Sequence, residues 1–256
     1  RYLLKIAASI IALLTLSVCA LYISGVFSSN SNQVAWTERK TISGEKSIIN
    51  FADGTKIILN GNSNLKYSVN ALNNTREVFL EGEAFFEVKH DTTRQFIVHS
   101  KNLTTTDLGT EFDISAYSNE KEITVSLVSG KINIAENENE KISKSTILQP
   151  KQQLVYSTTK KTYNLRDFDM VEIIGWKDNV LKFKDATLKD VFIKLERAYG
   201  IKFQLQTKSF EGFLITANFD KAPVETVTKL IKKLTGLDYT NIKENDQIKK
   251  IVFFKK

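Results

Sequence analysis

Two histidines, one cysteine and a short run of glutamates are the residues of this 256-residue chain whose types could carry chemistry. A closed zinc site takes about four Cys or His ligands. Cys19, His90 and His99 make three in all, and Cys19 lies in an apolar run. Glu81, Glu83 and Glu87 look like a carboxylate cluster in the run FLEGEAFFEV. On a strand rising about 3.3 Å per residue, Glu83 and Glu87 share a face but stand ~13 Å apart. A carboxylate pair acting on one glycosidic bond is separated by about 5–9.5 Å, so these are expected to be solvated strand-face groups. His90 and His99 fall at strand ends, and a catalytic histidine needs a nucleophile and an orienting partner. The sequence holds no G-x-S-x-G, no H-E-x-x-H and no Cys/His set. The expectation is a chain that is not an enzyme, with no catalytic site, no metal and no cofactor.

The elements that would position these residues begin with an apolar one. The composition is globular, with 42% hydrophobic and 25% charged residues. Residues 6–23 carry no charge, Arg1 and Lys5 precede them, and Tyr2 and Tyr22 stand near the two ends. About 20 such residues cross a hydrocarbon core of ~30 Å. The basic N-terminal flank predicts a cytoplasmic N-terminus, with everything after Phe27 and the uncharged stretch 28–33 outside. A cleaved signal peptide and a lipoprotein acylated at Cys19 are the alternatives. The length of the run disfavours the first, and Val18 before the cysteine disfavours the second. The chain begins on Arg1, so a further N-terminal portion is expected.

From about residue 36 to 160, short alternating runs are separated by turn dipeptides. Residues 48–51 precede Asp53-Gly54, 56–59 precede Asn60-Gly61, and 76–80 precede Glu81-Gly82 and a strand over 83–89. Further strands are expected at 95–100, 103–108, 111–116, 123–127 and 131–135. No helical pattern interrupts them, which predicts a solenoid, a barrel or a sandwich of short strands.

The last third contains a repeat. Residues 183–203 align with 219–239 at a constant offset of 36, pairing Phe183 with Phe219, Leu188 with Val224, Val191 with Val227, Leu195 with Ile231, Ala198 with Leu234 and Gly200 with Gly236. Positions 188, 191, 195 and 198 form one helical stripe, and 224, 227, 231 and 234 form its counterpart. Pro223 suits the first turn of the second helix, and the two glycines suit left-handed helix ends. Strands are expected at 180–184, 201–206, 214–219, 237–242 and 248–254. The outcome is an α+β domain of two βαβ-like copies with helices on one sheet face. There is no Gly-rich phosphate loop.

Ordered blocks in the strand-rich part carry a resemblance. Asp53-Gly54-Thr55, then R-x-V-x-L-x-G-E-A-x-F-x-V from Arg76 to Val88, then L-G-T-x-F from Leu108 to Phe112 resemble the FecR family of sigma-factor regulators. Gln149-Pro150-Lys151 resembles the family's L-x-P-G-x element, with Lys in the place of Gly. The tail from Trp176 through Tyr199-Gly200 resembles the C-terminal domain of Bacteroidetes-type members, which is similar to the STN (secretin N-terminal) module. The resemblance implies an inner-membrane anti-sigma factor. Its periplasmic part would receive a signal from the signalling domain of a TonB-dependent transducer. Its cytoplasmic part, expected upstream of Arg1, would control an extracytoplasmic-function (ECF) sigma factor. A membrane-tethered assembly module related to secretin N-domains, without sigma control, is the alternative.

These readings divide the chain into an anchor (1–27), a linker (28–45), an all-β FecR-type domain (46–160), a linker (161–175) and an STN-like α+β domain (176–256). Residues 175–256 carry 17 basic and 10 acidic groups, a balance of +7 within a total of +7. The basic groups are scattered and not clustered in one tract, so nucleic acid is not an expected partner. Two routes to a protein partner are open. One is strand addition at the final strand, through Ile251, Val252, Phe253 and Phe254, if that strand lies at a sheet edge. The other is electrostatic, through Lys229, Lys232 and Lys233, which lie off the apolar stripe of the second helix.

Overall fold

The computed structural model describes residues 2–27, 36–68, 75–138, 141–206 and 213–255. Arg1, the uncharged stretch 28–33 and Lys256 lie outside the described residues. The chain forms two compact units, Arg1–Val34 and Ala35–Lys256.

The first unit holds one helix, α1 (Tyr2–Phe27), with no acidic residue in its first turn. Its stretch Lys5–Tyr22 is long and apolar enough to cross a membrane, with a mean hydropathy of 2.0 and no residue buried. Its hydroxyls satisfy themselves: Ser9 Oγ donates to Ile6 O at 2.9 Å, Thr15 Oγ1 to Ala12 O at 2.9 Å and Ser17 Oγ to Leu14 O at 2.8 Å. That internal bonding suits a helix in a medium offering no other partner.

The second unit opens with β1 (Trp36–Lys40), β2 (Ser47–Asn50), β3 (Lys56–Leu59), β4 (Asn64–Ser68) and β5 (Thr75–Glu87). Then come β6 (Gln95–Ser100), β7 (Leu103–Asp107), β8 (Glu111–Ala116), β9 (Glu122–Ser129), β10 (Ile132–Glu138), β11 (Lys141–Leu148), β12 (Gln152–Ser157) and β13 (Thr162–Asp167). All 13 join one curled sheet, a half-barrel in the order β11-β10-β7-β6-β5-β8-β9-β12-β13, with β1 on β4, β2 on β3, and both β3 and β4 on β5. Residues 28–45, expected as a linker, therefore contain β1. Residues 161–175 contain β13 and the short helix α2 (Met170–Ile174).

Strand β5 organises the curl. Its first part pairs with β4 and, in parallel, with β6, and its second part pairs with β3 and β8. Glu81-Gly82, read as a turn, is no turn. Gly82 has φ +105° within a continuous strand, and a Cβ there would fall within 2.6 Å of Ser63 Cα. The glycine bends the strand without reversing it. Val78, Leu80, Ala84, Phe86 and Val88 stay buried on one face and build a core with Phe96, Phe112, Ile114, Leu127 and Tyr156. Phe86 stacks on Phe112 with centroids 4.8 Å apart. At Lys151, where the family element has Gly, φ is +70° and the backbone N–H reaches Leu127 O at 2.8 Å. The turn therefore forms with Lys in the left-handed region.

A second lobe follows: β14 (Val180–Thr187), α3 (Leu188–Tyr199), β15 (Lys202–Leu205), β16 (Leu214–Asp220), α4 (Val224–Thr235), β17 (Asp238–Glu244) and β18 (Gln247–Phe254). The helices are each 12 residues long and begin 36 residues apart. Thr187 Oγ1 caps α3 by accepting from Asp190 N–H, and Gly200 and Gly236 end the helices with φ of +69° and +70°. Pro223 is the residue before α4, not a member of its first turn. Leu188, Val191, Leu195, Val227 and Ile231 are buried, while Leu234 at the end of the second stripe is exposed.

The strands do not share one sheet. β14 pairs antiparallel with β16. β18 lies between its parallel neighbour β15 and its antiparallel neighbour β17. The final strand is thus the centre of a three-stranded sheet and not an edge. Its inward residues Ile251 and Phe253 are buried, and Phe253 packs between Phe192 and Tyr239 at 5.3 and 5.7 Å.

Candidate functional site

Phe85 and Ile58 point away from the half-barrel core. They are register partners on β5 and β3, and they join the apolar core of the second lobe with Trp176, Leu181, Phe183 and Leu195. The face of β5 read as solvated is therefore a seam between the strand-rich body and the second lobe. Among the described residues, no group of three or more His, Cys, Asp or Glu side chains could hold a metal.

The seam is bonded as well as apolar. Trp176 Nε1 donates to Asp113 Oδ1 at 3.2 Å, and Lys46 Nζ donates to Trp176 O and, at 2.6 Å, to Asn179 Oδ1. Gly44 N–H reaches Arg197 O at 2.9 Å. The Arg197 guanidinium lies 3.3 Å from the Tyr117 ring centroid and pairs with Glu120, while Tyr117 Oη donates to Gly61 O at 2.9 Å. A Cβ on Gly61 would collide with the Arg197 carbonyl oxygen, so the turn and the end of α3 meet at backbone distance.

Between the lobes lies a cavity of about 220 Å³. The body contributes Lys46, Asn60 and Glu83, and the second lobe contributes Trp176, Lys182, Lys194, Arg197, Tyr199 and Lys221, among others. Asn60 Nδ2 donates to Glu83 Oε2 at 2.6 Å. Burial pushes the Glu83 carboxyl above the usual carboxylate range, against the pull of Arg197. Burial, with Glu83 nearby, pushes Asp113 well above it. Asp113 Oδ2 has no hydrogen-bond partner among the described residues. Glu87, by contrast, is partly exposed and pairs with Lys56 at 3.1 Å.

The remaining motif residues converge elsewhere and hold the fold. Arg76 Nη1 donates to Asp53 Oδ2 at 2.8 Å and to Lys89 O at 3.2 Å, and Nη2 donates to Arg94 O at 2.9 Å. Thr55 Oγ1 accepts from Lys89 N–H, and Val88 N–H reaches Thr110 O. Burial alone would raise the Asp53 carboxyl, but the Thr55 N–H and the Arg76 guanidinium hold it below its ordinary value. The D-G-T, Arg76 and L-G-T blocks thus form one structural clamp. His90 is exposed, and His99 stacks on Phe79 at 4.7 Å with Nδ1 3.2 Å from Thr104 Oγ1. His99 Nε2 lies 4.0 Å from Glu77 Oε2.

Of the residues singled out for partner binding, Ile251 and Phe253 are core and Val252 and Phe254 are half-buried. Lys229, Lys232 and Lys233 are exposed on α4, and Lys232 pairs with Asp238 at 2.7 Å. The seam was missed because Glu83 and Asp113 alternate with apolar residues as surface groups do. The signal that could have found it is the pair Phe85 and Ile58, bulky apolar groups on the supposed outer face.

With this geometry in view, residues 37–133 match the family described as FecR protein, and residues 180–249 match the family described as FecR, C-terminal. No curated protein matches the chain. Two crystal structures of a candidate anti-sigma factor from Parabacteroides distasonis ATCC 8503, at 2.50 and 1.65 Å resolution, are similar to it with a TM-score of 0.75 and 26% identity. The alignments cover 87% and 86% of this chain, and 100% and 99% of those chains.

Proposed function

We propose, on the premise that this chain is a FecR-family regulator, that it is the anchor and sensor part of an inner-membrane anti-sigma factor. The family matches and the structural relatives support a sigma-regulator role. The observation that carries the finer reading is the order of parts along the chain. A helix of membrane-spanning length comes first, then the FecR match over 37–133, then the FecR C-terminal match over 180–249.

In this reading the N-terminus is cytoplasmic and the unit from residue 35 onward is periplasmic. A TonB-dependent transducer delivers the signal, and an ECF sigma factor is controlled on the cytoplasmic side. The second lobe is proposed as a relative of the STN module. Because β18 is central, strand addition would use β15 or β17, which flank it. The lysines Lys229 and Lys233 of α4 remain as the electrostatic route.

Deleting the gene should change transcription from the promoters of one ECF sigma factor. If every such promoter stays unchanged with and without inducing conditions, the regulator reading is wrong. A reporter that works only in the periplasm should be active when fused after Lys256, and a cytoplasm-active fusion would overturn the orientation.

A further inference from the structure

The cavity between the strand-rich body and the second lobe carries more basic side chains than the ion pairs around it match. Five basic side chains line it. Two of these are matched, Arg197 by Glu120 and Lys182 by Asp169 at 2.6 Å. The other three, Lys46, Lys194 and Lys221, form no ion pair among the described residues, although Asp178 acts on Lys46 and Lys194 acts on Glu83 and Asp113 from beyond ion-pair reach. Lys46 is the most telling of the three. It is half-buried, and its ammonium donates only to neutral acceptors, the Trp176 carbonyl and the Asn179 amide oxygen. Asp178 acts on it only from beyond ion-pair reach, and a charge withdrawn from water with so weak a counter-charge is costly unless something completes it. The acids on the wall are Glu83 and Glu172, and burial holds Glu83 toward its neutral form. Apart from the amides Asn60 and Asn179, the rest of the wall is apolar or aromatic and includes Ile173, Trp176, Leu181, Ala198 and Tyr199.

We propose that this cavity binds a small organic anion, one acid head of carboxylate or phosphate-ester type on an aromatic or apolar body about the size of a single ring. Lys46, Lys194 and Lys221 receive the head, and Trp176 with Leu181 and Ala198 receives the body. The size limit follows from the volume. About 220 Å³ is smaller than the ~300–1,000 Å³ of pockets for drug-sized ligands. Both lobes supply lining groups, so an occupant also ties Lys46 of the body to Lys194 and Lys221 of the second lobe. This site does not depend on the sigma-regulator reading.

The chain has two tryptophans, so Trp36→Phe leaves Trp176 as the single reporter in the cavity wall. The full chain carrying that substitution, in a nonionic detergent, is titrated with phenyl phosphate while Trp176 fluorescence is followed. A saturable change is expected, with phenol and inorganic phosphate each binding at least about tenfold more weakly. In the same background, Lys194→Met and Lys221→Met should each weaken phenyl phosphate about tenfold with the circular dichroism melt unchanged. Lys221 is exposed with no side-chain partner among the described residues, so its loss does not threaten folding. The proposal is overturned by any of three results: no saturable response, equal affinity for phenol or for inorganic phosphate, or unaltered affinity in the Lys194→Met/Lys221→Met double variant.

Discussion

Asp113 is fully buried on β8, bonded through one oxygen to Trp176 and lacking a partner for the other among the described residues. Burial and the Glu83 carboxyl favour its neutral form. A carboxyl whose folded-state pKa is raised stabilises the fold fully below its unfolded value, near pH 4. That stability is lost as pH rises through the raised folded value. Mild acid should therefore strengthen the seam, with the Trp176 N–H and Lys194 opposing the shift. Asp113→Asn keeps the shape and the acceptor for Trp176 while removing the ionisation. We expect a melting temperature a few degrees higher than the parent's at neutral pH, and a flatter pH profile from about pH 4 upward. A variant that melts lower than the parent at neutral pH, with the pH profile unchanged, would show that the carboxyl is held as an anion. None of this was legible in E-F-D-I-S-A, where alternation alone puts Asp113 on the outer face. The second lobe that covers that face is supplied by residues more than 60 positions away.

Strand β5 carries the contrast between what a pattern can tell and what it cannot. Its apolar phase runs unbroken from Val78 to Val88 through Gly82, which a turn would have reset. The dipeptide signal and the phase disagreed there, and the phase was right. Gly82→Ala would place a side chain at φ +105° against Ser63. Backbone strain alone should cost about 1–3 kcal/mol, read as a lower denaturation midpoint, and an unchanged midpoint would mean the strand bends elsewhere. The helices α3 and α4 were legible in position because their apolar spacing is local. Leu195→Ala and Ile231→Ala, at equivalent fully buried sites, should each cost about 2–5 kcal/mol. Losses below ~0.5 kcal/mol at both would break the equivalence of the two helices, given what a buried Leu or Ile normally contributes. Strand β13 left no such trace. All six of its residues are exposed, so only its hydrogen bonds to β12 define it. The pairing of β14 with β16 was equally hidden, since sheet partners are chosen by closure of the whole lobe and not by local spacing.

The unit from residue 35 onward has two cores, one inside the half-barrel and one in the second lobe, and the seam joins them. The second core holds Val191, Leu195, Val227, Ile231, Leu237 and Phe253, all supplied within residues 180–254. We expect that local supply to let residues 175–256 form their helices alone. Three things are lost without the body: the cover of Ile58 and Phe85 over the lobe's apolar side, the Asp113 acceptor for Trp176, and the Tyr117 and Glu120 partners of Arg197. Burying a side chain such as Phe fully is worth ~1.5–3 kcal/mol, and in the fragment Trp176 and Arg197 exchange those partners for water. The fragment 175–256 should therefore retain a helical circular dichroism spectrum and unfold cooperatively, but melt well below the full chain in the same nonionic detergent. A random-coil spectrum would mean that the second lobe is no independent domain. A melt at the full chain's temperature would mean that the seam adds nothing to stability, and then the close approach of Gly61 to Arg197 would be mere proximity without any role in coupling the two lobes.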